Sequence, residues 1–329
     1  MSRESASDCK LLEVADLKVA VDVRDRQFSI IKGVSLSIAS GETLGVVGES
    51  GAGKSVFGSA VAGLLEQPIR KTGGEVHLHG RRIDTLSGEE LRRLRGASIG
   101  MVFQDPLTSL DPLFTIGDQL IETIRTHKPV SYTEAHAHAL KLLKETGIPA
   151  AEQRMNDYPH QFSGGMRQRV VLALALCVDP QLVIADEPTT ALDVSVQAQI
   201  IRLLGRLCRD HGTSVVLITH DMGVIAEACD NVAVMYAGRV VEYGPTREII
   251  RNPRHPYTRG LMASIPPLDK RPDRLQQIDG AMPQIGHDLA GCAFRSRCPS
   301  AFAKCEGDVP QLIGDERRSS ACWLEEDNV

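Results

Sequence analysis

The 329-residue chain carries 37 Lys and Arg against 42 Asp and Glu, a net charge of −5 that argues against a general nucleic-acid binder. With 42% apolar and 24% charged residues it has the composition of a soluble globular protein, and its length suits about two domains. No apolar run approaches the ~20 residues that cross a bilayer, and residues 1–10 lack the apolar centre of a signal peptide. A cytosolic chain is expected, reaching a membrane only through a partner.

In chain order, residues 11–40 alternate apolar and polar side chains, as in Val19-Ala20-Val21-Asp22-Val23 and Val34-Ser35-Leu36-Ser37-Ile38. That period predicts an antiparallel, half-exposed sheet, to which residues 73–80 add a strand. Residues 43–47 read as a buried strand and residues 56–65 as a helix. Between them, Gly48-Glu49-Ser50-Gly51-Ala52-Gly53-Lys54-Ser55 fits the phosphate-loop pattern G-x-x-x-x-G-K-[ST] at every fixed position. Its glycines let the backbone curl so that successive N–H groups face phosphate oxygens. Lys54 is placed to reach the β- and γ-phosphates, Ser55 to ligate Mg²⁺, and Val56 to open a helix whose N-terminus favours anions. A chance glycine turn is the competing reading, and the strand before and helix after weigh against it.

Three further apolar runs, residues 98–103, 182–185 and 214–219, read as strands buried on both faces. Gln104, Asp186-Glu187 and His220 follow them directly. In open α/β sheets ligands bind beyond the carboxyl ends of the strands, so four strands deliver a phosphate loop, a Gln, two acids and a His to one edge. Asp186 can hold Mg²⁺ through water, Glu187 can orient or polarise the attacking water, Gln104 can ligate Mg²⁺ or sense the γ-phosphate, and His220 can contact the γ-phosphate and stabilise its transition-state charge. Singly, each of these is more often a cap or a structural side chain; the shared edge is what favours chemistry.

Residues 116–127 and 133–146 have helical spacing, with Thr133 as the expected N-cap, and predict a helical subdomain inserted into the sheet domain. Phe162-Ser163-Gly164-Gly165-Met166-Arg167-Gln168-Arg169 is a second glycine turn, leading into a helix over 166–177 and offering another anion site. One nucleotide does not need two such turns; two chains facing each other would use both. Pro253 and Pro256 mark a boundary, beyond which Pro, Gly and Arg predict a looped appendage up to about Gly291.

Together these motifs resemble the ATP-binding cassette (ABC) ATPases. Ser163-Gly164-Gly165 matches the family's signature motif, with Phe162 and Met166 replacing the commonest Leu and Gln. Residues 182–186 match Walker B with Glu187 as the catalytic glutamate, Gln104 the Q-loop, Ala191-Leu192-Asp193 the D-loop and His220 the switch histidine. The resemblance implies an α/β fold: a RecA-like parallel-sheet core, an antiparallel β subdomain and an inserted helical subdomain at about 105–178. The cassette would span 1–252 and a small Cys-rich C-terminal extension 253–329. It implies ATP and Mg²⁺ as cofactors, Ser55, Gln104 and Asp186 as Mg²⁺ ligands, and Asp193 among the nucleotide-site residues. Phe28 is either the ring that stacks on adenine or a strand's core side chain.

Finer matches, in residues 103–110, 158–169 and 185–194 and in His255-Pro256-Tyr257-Thr258 with Leu261, resemble the D-type ATPase subunit of dipeptide and oligopeptide importers. That implies a second ABC ATPase subunit in a heterodimer, two transmembrane permease subunits and an extracytoplasmic peptide-binding protein. The chain would sit at the cytoplasmic face of the inner membrane, with no direct nucleic-acid partner. Importers of nickel and other small solutes are close relatives. A soluble ABC ATPase acting on nucleic acid or ribosomes is the reading from another class, but those commonly have two cassettes or long coiled-coil insertions.

Of eight cysteines, Cys292, Cys298, Cys305 and Cys322 crowd the last forty residues. In a reducing cytosol this predicts a metal site over a disulfide framework. Four thiolates suit tetrahedral Zn²⁺ or a [4Fe–4S] cluster; the wide gaps fit a cluster better than Cys-x₂₋₄-Cys zinc knuckles, and unligated thiols are the remaining reading. The resemblance favours the iron–sulfur centre, in a structural role. Cys9, Cys177, Cys208 and Cys229 are expected to be ordinary core or surface residues.

Overall fold

The computed structural model describes residues 10–106, 108–189, 192–265, 277–286, 290–315 and 317–328. They fall into two compact units. One comprises Met1–Leu12, Ile38–Thr43 and Leu78–Leu217, the other Glu13–Ser37, Leu44–His77 and Ile218–Val329.

In the first unit the strands Ile99–Val102 and Leu182–Asp186 pair in parallel, Ile99 opposite Leu182 and Val102 opposite Ala185. Ser214–Thr219 is the next strand of that sheet. Every residue of Leu182–Asp186 and Ser214–Thr219 is buried, which is why residues 182–185 and 215–218 within them are continuously apolar. The helices Ile116–His127, Tyr132–Glu145 and Gly164–Leu176 pack on one another. Ile116–His127 buries Ile116, Leu120, Ile121 and Ile124, a single helical stripe. Gly117 faces backbone there: its N–H donates to the Met155 carbonyl at 2.8 Å, where a Cβ on Gly117 would meet that oxygen at 2.7 Å. The cap of Tyr132–Glu145 is Ser131, not Thr133. Ser131 Oγ accepts from the Glu134 N–H, and the Glu134 carboxylate accepts from the Ser131 N–H at 2.8 Å, a reciprocal box that Thr133 has no partner to form.

In the second unit Lys10–Val23 lies between Arg26–Ala39 and Ile69–Leu78 in one sheet. In the other, Thr43–Val47 pairs in parallel with Asn231–Tyr236, Val47 opposite Val234. Asn231–Tyr236 runs antiparallel to Arg239–Pro245, and Arg239–Pro245 to Ser319–Ser320, with Glu242 opposite Ser320. Ile313–Gly314 closes the edge. The region expected to be looped contains the helix Pro256–Ala263, started by Pro256 in the first turn and by His255 Nδ1, which accepts from the Tyr257 N–H at 3.0 Å. The extension shares a core with the phosphate-loop strand. Phe294 and Tyr257 are buried with Val47, Val234 and Tyr236, and the three rings meet edge-on or tilted at centroid distances of 4.7–5.4 Å.

Candidate nucleotide-binding site

The second unit holds the phosphate loop. Thr43–Val47 delivers Gly48, and the helix Lys54–Val61 begins inside the loop, two residues earlier than the apolar pattern suggests. Gly53 caps that helix at φ +98°, where a Cβ would press on Ile31 Cδ1 at 2.8 Å; Gly51 also has a left-handed φ, +86°. The loop is closed on itself: the Ala52 N–H donates to the Glu49 carbonyl at 3.2 Å, and the Ala52 carbonyl accepts from the Gly238 N–H at 3.0 Å. Lys54, 4% exposed, donates its ammonium to the carbonyls of Gly48 at 2.8 Å and Glu49 at 3.2 Å. Ser50 and Ser55 are exposed, Val56 half-buried. His220 stands exposed just beyond Ser214–Thr219.

The first unit holds the acidic residues. Asp186 ends its strand buried, and Glu187 follows at φ +44°, a left-handed conformation uncommon for a glutamate. Gln104, exposed, places its amide nitrogen 3.5 Å from Glu187 Oε2. The structure thus joins Gln104 to Glu187, next to Asp186. The glycine turn lies in the same unit. Ser163 caps Gly164–Leu176 by accepting from the Met166 N–H at 3.4 Å, Ser163 and Gly164 are exposed, and no acidic residue occupies the first turn. Asp193 caps the helix Val194–His211: its carboxylate accepts from the Val196 N–H at 3.0 Å and the Ser195 hydroxyl at 2.9 Å. The Val196 backbone bond, then the Ser195 bond, hold that carboxylate below the usual range. Ala191 lies outside the described residues.

Phe28 is half-buried, and its ring faces Gly286, where a Cβ would meet Phe28 Cδ1 at 2.8 Å.

Sequence reading missed three residues that hold the phosphate loop. The Glu49 N–H donates to the Tyr257 hydroxyl at 2.8 Å. The Glu49 carboxylate accepts from Arg297 Nη1 at 2.9 Å and Nη2 at 3.2 Å, and Tyr236 lies under the Arg297 guanidinium, 5.9 Å from its ring centroid. Arg297 stands 248 residues from Glu49, so no local pattern links them. Its place beside Cys298 is the only signal that could have drawn attention to it.

Cys292, Cys298, Cys305 and Cys322 line one cavity together with Phe294, Trp323 and Leu324. Burial raises the Cys292 and Cys298 thiols and pushes Cys322 up to about 11. The donor set suits a soft metal or a cluster. The arrangement departs from the expected centre: among the described residues no three His, Cys, Asp or Glu side chains stand so as to hold a metal ion. The four thiols share a cavity without closing on a common point. Cys177 and Cys208 are buried and their thiols, like that of Cys229, are pushed up to about 12 by burial, as inert packing residues are.

Comparison with known proteins places this geometry. Residues 31–190 match the ABC transporter family, and residues 241–305 match the oligopeptide/dipeptide transporter C-terminal region. The dimeric post-hydrolysis state of the ATP-binding cassette MJ0796, bound to ADP and Pi, aligns with 72% of this chain and 99% of its own at TM-score 0.64 and 30% identity. The fold is that of an ABC ATPase cassette. Among sequences, the dipeptide transport ATP-binding protein DppD of Bacillus subtilis is 44% identical over 319 residues, covering 96% of this chain and 95% of its own. The oligopeptide transport ATP-binding protein OppD of Salmonella typhimurium is 45% identical over 313 residues, covering 95% and 93%. The chain belongs to the ATP-binding subunits of dipeptide and oligopeptide ABC transporters. It is a transport ATPase, and no helix among the described residues is long and apolar enough to cross a membrane.

Proposed function

We propose that this chain powers the import of di- and oligopeptides across an inner membrane, docked at the cytoplasmic face. In this reading it pairs with a second ABC ATPase subunit, two transmembrane permeases and an extracytoplasmic peptide-binding protein, and binds no nucleic acid. The observation that carries it is relatedness along nearly the whole chain to peptide-transport ATPases, C-terminal region included. The cassette is residues 1–252 and the extension 253–329.

ATP lies with its β- and γ-phosphates against residues 48–56, where backbone N–H groups and Lys54 neutralise charge. Ser163, Gly164 and Gly165 face the nucleotide held by the partner, and the partner's equivalent turn completes this one, with Asp193 nearby. Ser55, Gln104 and a water on Asp186 would hold Mg²⁺, which would supply charge neutralisation for the phosphates. Glu187 orients the attacking water, and His220 and Lys54 stabilise the γ-phosphate as its bond breaks. Because the nucleotide contacts both subunits only when they close, it biases the closed state. Phe103, next to Gln104 in sequence, and Leu113 and Phe114 further along the same segment are 45%, 78% and 49% exposed, apolar side chains suited to meet a permease helix. A [4Fe–4S] cluster on Cys292, Cys298, Cys305 and Cys322 would require these thiols, which share one cavity, to close on it from the arrangement described above.

Purification from membranes tests the transport reading. Two multi-span proteins should accompany the chain, and the reconstituted complex should hydrolyse ATP faster when peptide-loaded binding protein is added. Stimulation by nickel and not by peptide, or salt-sensitive retention by nucleic acid in place of permeases, would overturn it.

A further inference from the structure

Glu49 occupies an open position of the phosphate-loop pattern, and a carboxylate there stands against the loop's purpose of binding phosphate. The structure answers that charge from the far end of the chain. Arg297 is 5% exposed and all five of its N–H donors are engaged. Nε donates to the Asp279 carbonyl at 2.8 Å; Nη1 donates to Glu49 Oε2 at 2.9 Å and the Tyr236 hydroxyl at 3.4 Å; Nη2 donates to Glu49 Oε1 at 3.2 Å and the Ile278 carbonyl at 3.3 Å. The guanidinium also lies over the rings of Tyr236 and Phe294, 5.9 Å from each centroid. A side chain so saturated has one orientation, and its fork meets the carboxylate on both oxygens. The Glu49 main chain is bound as well, its N–H to Tyr257 and its carbonyl to Lys54. Burial keeps the Tyr257 hydroxyl protonated by raising it far above its ordinary range.

We propose that Arg297 is a positioning residue for ATP: from the C-terminal extension it neutralises Glu49 and, with Tyr257, fixes the first peptide of the phosphate loop. The proposal rests on residues 48–55 binding phosphate. Its physical core is electrostatic. With Arg297 present, the Glu49 carboxylate is spent on the fork; without it, a bare negative charge faces the triphosphate. At the screening of a partly buried site, one unpaired charge within a loop's width of the phosphates weakens binding by roughly tenfold. Lysine keeps the charge but not the two-point fork, so it restores only part of the effect. The structural alternative is a staple, in which Arg297 merely ties the extension down. The two differ in one respect: removing the Glu49 charge rescues the loss of Arg297 only if charge is the cause.

The test uses the full-length chain for MgATP binding by calorimetry, and the assembled transporter for KM and kcat. Arg297→Gln should raise the Kd and KM for ATP by about tenfold while kcat stays within about twofold. Glu49→Gln alone should bind ATP at least as tightly as the parent chain. Glu49→Gln combined with Arg297→Gln should return to within about threefold of the parent. Unchanged ATP affinity in Arg297→Gln, a double variant as weak as Arg297→Gln, or weaker binding by Glu49→Gln each overturns the proposal. The last also serves if Arg297→Gln does not fold, because Glu49→Gln leaves the extension's own bonds in place. Lys54→Ala separates the two readings: if it binds ATP normally, the phosphate-loop assignment fails, whatever Arg297 does.

Discussion

Glu187 shows how much a single position can be asked to do. It leaves a fully buried strand at φ +44°, a conformation that costs a non-glycine residue on the order of 1 kcal/mol and persists where the surroundings enforce it. The Gln104 amide nitrogen stands 3.5 Å from its carboxylate. A water-orienting carboxylate acts on the transition state and not on ground-state binding, so Glu187→Gln should lower kcat in the assembled transporter by at least about a hundredfold and leave the ATP Kd within about threefold. Phosphate release under saturating ATP measures it, and unchanged release would remove Glu187 from the mechanism.

The strand Arg239–Pro245 and the tail that pairs with it carry the next consequence. Glu242 is fully buried, accepting from the Arg254 N–H at 2.8 Å and the His255 N–H at 2.9 Å, with Arg318 at 3.7 Å. These contacts tie the start of Pro256–Ala263 and the edge strand Ser319–Ser320 to one carboxylate. Removing one member of such a group leaves two backbone donors and a cation short of a partner, so Glu242→Ala should destabilise the protein by about 3–5 kcal/mol. A thermal melt in which the variant matched the parent would show that the carboxylate is dispensable. The cysteines belong to this element too. Anaerobically purified protein should be brown and carry about four irons per chain, and Cys298→Ser should lose most of that iron. A colourless, zinc-loaded chain would remove the iron–sulfur reading.

For the whole molecule, ATP should drive association with the second ATPase subunit, most visibly when hydrolysis is blocked. Glu187→Gln with ATP should elute as a heterodimer that Lys54→Ala does not form, as measured by light scattering. Formation of the same dimer without nucleotide would contradict the shared-site reading. Much of this was legible in local pattern. Ser214–Thr219 and Ile116–His127 have the bounds that their period and apolar run predict, because each buries a face set by spacing along one segment. The phosphate loop was legible because its glycines answer to backbone conformations within eight residues. Helix Pro256–Ala263 was hidden by a Pro-, Gly- and Arg-rich composition, although Pro256 and His255 supply its start. What the sequence alone determined, then, is the class of protein and the phosphate-loop pattern itself. Only tertiary structure decided the fate of the Glu49 charge. Tyr236, Tyr257 and Phe294 pack their rings together, that packing brings Arg297 to the loop, and ring packing across such separations leaves no trace in local periodicity.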